Sequence, residues 1–118
     1  MKKIIITSML LMGAASAGAA AISDGAYIMN DGAMKMTIKL MTLPDGKVFV
    51  DGMGSSGDGK NCRIGDMGAF SGNTLVLGGL CSVPIAPTAD GFQISSTPPC
   101  LQCDHGGYIQ GTYKRAAQ

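Results

Sequence analysis

Apolar and polar residues alternate one by one through much of the chain beyond its first twenty or so positions. From Met34 to Leu40, Met34, Met36, Ile38 and Leu40 fall on one parity and Lys35, Thr37 and Lys39 on the other. A period of two puts the first set on the core face of a β-strand and the lysines in water. A shorter strand over Ala26–Met29 precedes it, and Asn30-Asp31-Gly32 between them supplies the positive-φ positions of a tight hairpin. Leu43-Pro44-Asp45-Gly46-Lys47 predicts a reverse turn, with proline fixing φ and glycine taking the left-handed position. The return strand runs from Val48 to about Met53.

The stretch from Gly54 to Lys60 holds no apolar residue and reads as a mobile surface loop. Cys62 and Ile64 share one face of the strand after it, and Asp66-Met67-Gly68 is expected to turn the chain again. Ser71-Gly72-Asn73 leads into Thr74–Leu77, whose apolar and β-branched content suits a buried strand ended by Gly78-Gly79. Pro84 and Pro87 predict an irregular or edge segment from Ser82 to Thr88. Ala89-Asp90-Gly91 opens a strand with Phe92 and Ile94 inward, and Pro98-Pro99 delivers Cys100 to the surface. In the last strand Ile109 and Tyr113 face the core, Gly111 bends the backbone, and the sheet closes on an earlier strand. No stretch beyond the first 21 residues sustains helical spacing, and turn signals recur at intervals of roughly eight to twelve residues. The pattern predicts an all-β antiparallel meander, closed as a small barrel or folded as a sandwich, in one domain over 22–118.

The first residues follow a different rule. Basic Lys2-Lys3, an apolar run from Ile4 to Met12 and small residues from Gly13 to Ala21 predict a secretory signal peptide. Cleavage after Ala17, Ala19 or Ala21 meets the small-residue requirement, and we take Ala21, so that 1–21 is the leader. The apolar run is far short of the roughly 20 residues that span a bilayer, and no cysteine follows any of these sites to carry a lipid. The expected product is a periplasmic or secreted protein with no stable membrane insertion.

Removing 21 of 118 residues leaves 97, with seven basic and eight acidic side chains, a formal charge of −1. That near-neutrality gives neither a nucleic-acid footprint nor a polybasic membrane patch. Eighteen glycines and the absence of tryptophan imply a modest core with a large chain entropy to overcome. The four cysteines, Cys62, Cys81, Cys100 and Cys103, are an even set that disulfides in an exported chain would use. Of three possible connectivities, spacing favours Cys62 with Cys81 and Cys100 with Cys103.

Candidate chemistry is sparse. Cys100-x-x-Cys103 has redox spacing, but prolines precede it, glycines follow it and no β-α-β pattern surrounds it. Asp104 stands where covalent haem attachment needs histidine. A zinc site on Cys100, Cys103 and His105 lacks a second cysteine knuckle. Met34 and Met36, with His105, form the alternative reading, a periplasmic copper-binding protein, because thioethers on one strand face suit cuprous ion. The two methionines are also in phase with Ile38 and Leu40, which favours core packing. The chain has no glutamate, one histidine and no G-x-S-x-G elbow, so no acid pair or triad is assembled and neither an enzyme nor a cofactor is expected.

Ser56-Gly57-Asp58-Gly59-Lys60 resembles the loop that several periplasmic lysozyme inhibitors insert into the acidic cleft of that enzyme. Those inhibitors are small exported β-domains, and their loop carries Ser-Gly-x-x-Tyr, with Lys60 here at the tyrosine position. The resemblance covers five residues and implies partner contacts by Ser56, Gly57 and Lys60. The expectation is therefore an exported, non-enzymatic binding or inhibitor module with a protein partner.

Overall fold

The computed structural model describes residues 22–116, and the expected leader at 1–21 lies outside them. Nine strands follow in order: β1 Gly25–Asn30, β2 Lys35–Thr42, β3 Val48–Ser55, β4 Asn61–Ser71, β5 Thr74–Leu77, β6 Cys81–Thr88, β7 Gly91–Ile94, β8 Gln102–Asp104 and β9 Gly111–Arg115. Every pairing is antiparallel. β3 pairs with both β2 and β4, and β9 bridges β7 to β1, so eight strands close into a barrel. Closure removes the free sheet edges that a small β-domain otherwise exposes. β8 adds to β4 over Asn61–Arg63, where β5 does not reach.

The alternation read along β2 and β3 is the alternation that fills the barrel. Met34, Met36, Ile38, Leu40, Val48 and Val50 are buried, as are Leu75, Leu77, Phe92, Ile94, Ile109 and Tyr113. No polar or charged residue is buried among the described residues. The charges stand on outward positions, the reverse of the lipid-facing apolar band and polar lumen of a transmembrane barrel. No helix among the described residues is long and apolar enough to cross a membrane.

Two of the nine methionines fit against glycines. A Cβ at Gly54 would stand 2.5 Å from Met36 Sδ and 2.7 Å from the Lys35 carbonyl oxygen, and one at Gly111 would stand 2.7 Å from Met29 Cγ. An unbranched thioether thus occupies space that a side chain on the opposing strand would need. Gly111, at φ 149°, also lies in a backbone region that side-chain-bearing residues rarely adopt.

Four expectations need correction. Cys62 pairs with Cys103 and Cys81 with Cys100, across sequence separations of 41 and 19. Proximity along the chain misled because β8 runs extended beside β4 and puts Cys103 opposite Cys62, while Cys100, in the preceding turn, meets the first residue of β6. Asp66-Met67-Gly68 is no turn, since β4 continues through it, paired with β3 up to Gly68 and with β5 from Gly68. The segment 82–88 is not irregular but belongs to β6. That strand pairs with β5 over Cys81–Pro84 and with β7 over Ile85–Thr88, so each half has a side on which a proline needs no N–H partner. Finally, β3 runs on through Ser55, which shortens the expected loop to Ser56–Lys60.

Candidate interaction face

The outward residues of β2, β3 and β4 come into register as four cross-strand rows. Lys35 stands beside Ser55 and Ser55 beside Asn61; Thr37, Met53 and Arg63 form the second row, Lys39, Asp51 and Gly65 the third, and Met41, Phe49 and Met67 the fourth. The first three rows, Gly65 excepted, line a groove of about 640 Å³ over Gly52 and Gly54, and a second depression of about 320 Å³ continues it past Lys39 and Asp51 to Met41 and Phe49. Gly52 and Gly54 are inward positions of β3 whose missing side chains leave room for Met36 inside the barrel.

This face is unusually apolar for a surface of alternating strands. Met41 is 57% exposed, Met53 58%, Met67 45% and Phe49 39%. Lys35, Lys39 and Arg63 are interleaved with them, and Asp51 is the face's one carboxylate. Lys39 and Asp51 are directly opposed, yet Lys60 with Asp58 is the one salt bridge among the described residues. The cations of the face are therefore available to an incoming anion.

The loop singled out by sequence caps one end of the same face. Ser56 and Gly57 line a hollow with Asn30, Gly32 and Lys35, so the structure brings the β1–β2 and β3–β4 turns together. The loop is internally tied. The Lys60 amide donates to Ser56 Oγ at 3.0 Å, the Ser56 hydroxyl donates to the Asp58 carboxylate, and Lys60 Nζ donates to the same carboxylate at 2.6 Å. Those bonds, Lys60 first and Ser56 second, push the Asp58 carboxyl down to about 2. Lys60 is spent on its own turn rather than projecting as a free cation.

The metal-site residues are not brought together as ligands. Met34 and Met36 are 1% and 0% exposed inside the barrel, whereas His105 is exposed in the turn after β8 at φ 56°. Among the described residues no three of His, Cys, Asp or Glu are grouped to hold a metal ion. All four cysteines are in disulfides, and such cross-links suit an oxidising, non-cytoplasmic compartment.

Sequence reasoning missed the Met41–Phe49–Met67 row. Its one local signal was Phe49, an aromatic on the polar parity of a strand whose inward positions are Val48 and Val50. No family model, curated protein or solved structure matches the chain.

Proposed function

We propose that the protein is an exported, non-enzymatic binding module of the bacterial periplasm that engages a protein partner through the outer face of β2–β4 and the adjoining Ser56–Lys60 turn. The observation that carries this reading is a barrel interior filled by apolar and aromatic side chains, with no polar or charged residue buried among the described residues. The barrel leaves its outer surface for recognition, and the described surface concentrates exposed methionine and phenylalanine on one face. Apolar residues clustered there are what an interaction site uses. The two disulfides brace such a scaffold outside the cytoplasm.

The lysozyme-inhibitor form of this reading uses the turn. Ser56 and Gly57 border an open hollow, which supports it, and Lys60 would have to exchange Asp58 for a carboxylate of the enzyme. A bacterial-cell-wall lysis assay with one equivalent of mature protein tests that form: stoichiometric inhibition, weakened by Gly57→Trp, is the expected result for an inhibitor. Undiminished lysis rejects inhibition. Titration with cuprous ion tests the broader reading, because tight one-to-one binding that is lost in Met36→Ser would replace a binding module by a copper carrier.

A further inference from the structure

The residues after the expected leader carry seven cations and eight carboxylates, yet the groove face holds three of those cations, Lys35, Lys39 and Arg63, against the single carboxylate of Asp51. A domain with a formal charge of −1 thus presents a local excess of two positive charges on its most apolar face. None of the three cationic side chains has a hydrogen-bond or ion-pair partner among the described residues. Met53 lies between them, and Met41 and Phe49 continue the groove beyond Lys39.

We propose that this groove docks an extended acidic segment of a partner protein, with one or two apolar side chains seated on Met53 and on the Met41–Phe49–Met67 row. The proposal rests on the binding-module reading and names the chemistry of its partner. From Lys35 to Met41 the face spans about 20 Å, room for roughly six residues of extended chain. Lys35, Lys39 and Arg63, without partners among the described residues, supply attraction and register for carboxylates. Flexible thioethers adapt to apolar anchors of different shape. Concavity favours a chain segment over a lipid surface, because Met53 and Phe49 line hollows that a peptide can enter, whereas a bilayer meets protruding side chains first.

Panning a random twelve-residue peptide library against the mature, disulfide-intact protein tests this. The expected result is enrichment of sequences with at least two Asp or Glu next to Leu, Phe or Met. A synthetic peptide of that kind should perturb the amide resonances of β2, β3 and β4. Its binding should fall at least about tenfold in Lys39→Gln/Arg63→Gln, a pair of exposed positions whose neutral replacement sets no like charge opposite Asp51, and should weaken with added salt. Absence of enrichment, enriched peptides without carboxylates, or equal binding to the double variant overturns the proposal. So does flotation with half-anionic phospholipid vesicles without peptide binding, or a dimer that the double variant dissociates. Binding that survives in the double variant but is lost in Gly57→Trp would move the site to the turn and leave the binding-module reading standing. Failure of every peptide and of a lysozyme probe to bind would remove both.

Discussion

The barrel is built from two halves that hold together by different means. The meander β1–β4 has ladders of six, eight and eight residue pairs, and neither disulfide joins two of its strands. From β4 onward the ladders shorten to four pairs each between β4 and β5, β5 and β6, β6 and β7, and β7 and β9, with only two at the β9–β1 seam. There the chain adds cross-links of other kinds. Cys62–Cys103 fixes β8 on β4, Cys81–Cys100 anchors the turn that precedes it, and the Thr97 hydroxyl accepts the Ile109 amide at 2.7 Å. At the seam Tyr113 stacks on Phe92 with ring centroids 4.9 Å apart, and Phe92 meets Tyr27 at the same separation. Arg115 closes it, donating to the Asp24 carbonyl at 2.7 Å and to the Tyr27 hydroxyl at 2.9 Å, with its guanidinium 5.5 Å above the Tyr27 ring. Long ladders support themselves, and short ones depend on a few side chains whose loss is correspondingly costly.

The largest effect is expected at the seam. Tyr113 is fully buried, and its hydroxyl donates to the Ile109 carbonyl at 2.7 Å. Tyr113→Ala should cost about 3–5 kcal/mol, as truncation of buried aromatics does. Phe49→Ala, on the outer face of the meander, should stay within about 0.5 kcal/mol. Urea unfolding of the two variants side by side measures the contrast, and similar midpoints would erase it. A protein ending at Gln110, which lacks β9, should fail to fold stably, whereas loss of 116–118 should change little.

The disulfides come next. In the chain-entropy relation, separations of 41 and 19 residues correspond to about 4 kcal/mol for Cys62–Cys103 and about 3 kcal/mol for Cys81–Cys100. Paired alanine variants should unfold in that order of severity. Peptide mapping without reductant should find these two linkages and no alkylated thiol, and a Cys100–Cys103 clasp in the folded protein would contradict the β4–β8 register.

Within the meander the weak point is packing rather than covalent linkage. Gly54→Ala forces a methyl group against Met36 Sδ and the Lys35 carbonyl oxygen, and should cost about 1–3 kcal/mol. Gly57→Ala, where a Cβ meets nothing within 4 Å, should be nearly silent in the same thermal melt.

The smallest effect is electrostatic and links the two halves. The Tyr108 hydroxyl donates to the Asp31 carboxylate, which also accepts the Ala33 and Met34 amides at 2.9 and 2.8 Å. The Tyr108 bond first, and the two amides next, hold the Asp31 carboxyl below its ordinary value, and the same bond raises the Tyr108 phenol. A lowered carboxyl contributes stability that is present above its unfolded value and lost as pH falls through the folded one. The raised phenol gives the mirror image, present below its unfolded value and lost as pH rises through the folded one. Carbon-detected titration of Asp31 should show its midpoint moving up in Tyr108→Phe without reaching the ordinary value, since the amide bonds remain. An unmoved midpoint would mean that Tyr108 does not tether the β1–β2 turn.

Most of the strand pattern was legible because it is local. Alternation from Met34 to Leu40 fixes which side chains face inward whatever the strand pairs with, and Gly46 takes the left-handed position at φ 88° that its turn sequence implies. The closing role of Tyr113 was readable for the same reason, whereas Ile109, expected in the same strand, is buried just ahead of β9 and pairs with no strand. The errors fell where a local signal is decided by a distant partner. Prolines mark an edge only if a neighbour needs their N–H, and β6 changes neighbours between Pro84 and Pro87. The same dependence hid the candidate face. Met41, Phe49 and Met67 each read as a lone exposed residue, and only the β2–β3–β4 register makes them one row.

Local residue patterns settle the inward and outward parity of the strands, the positions of the principal turns and the demand for cross-links in a glycine-rich chain. The tertiary structure alone decided barrel over sandwich, the partner of each cysteine and the gathering of apolar and cationic side chains on one groove. Parity follows from the geometry of a single strand, whereas closure, disulfide pairing and surface clustering depend on register between strands that lie far apart along the chain.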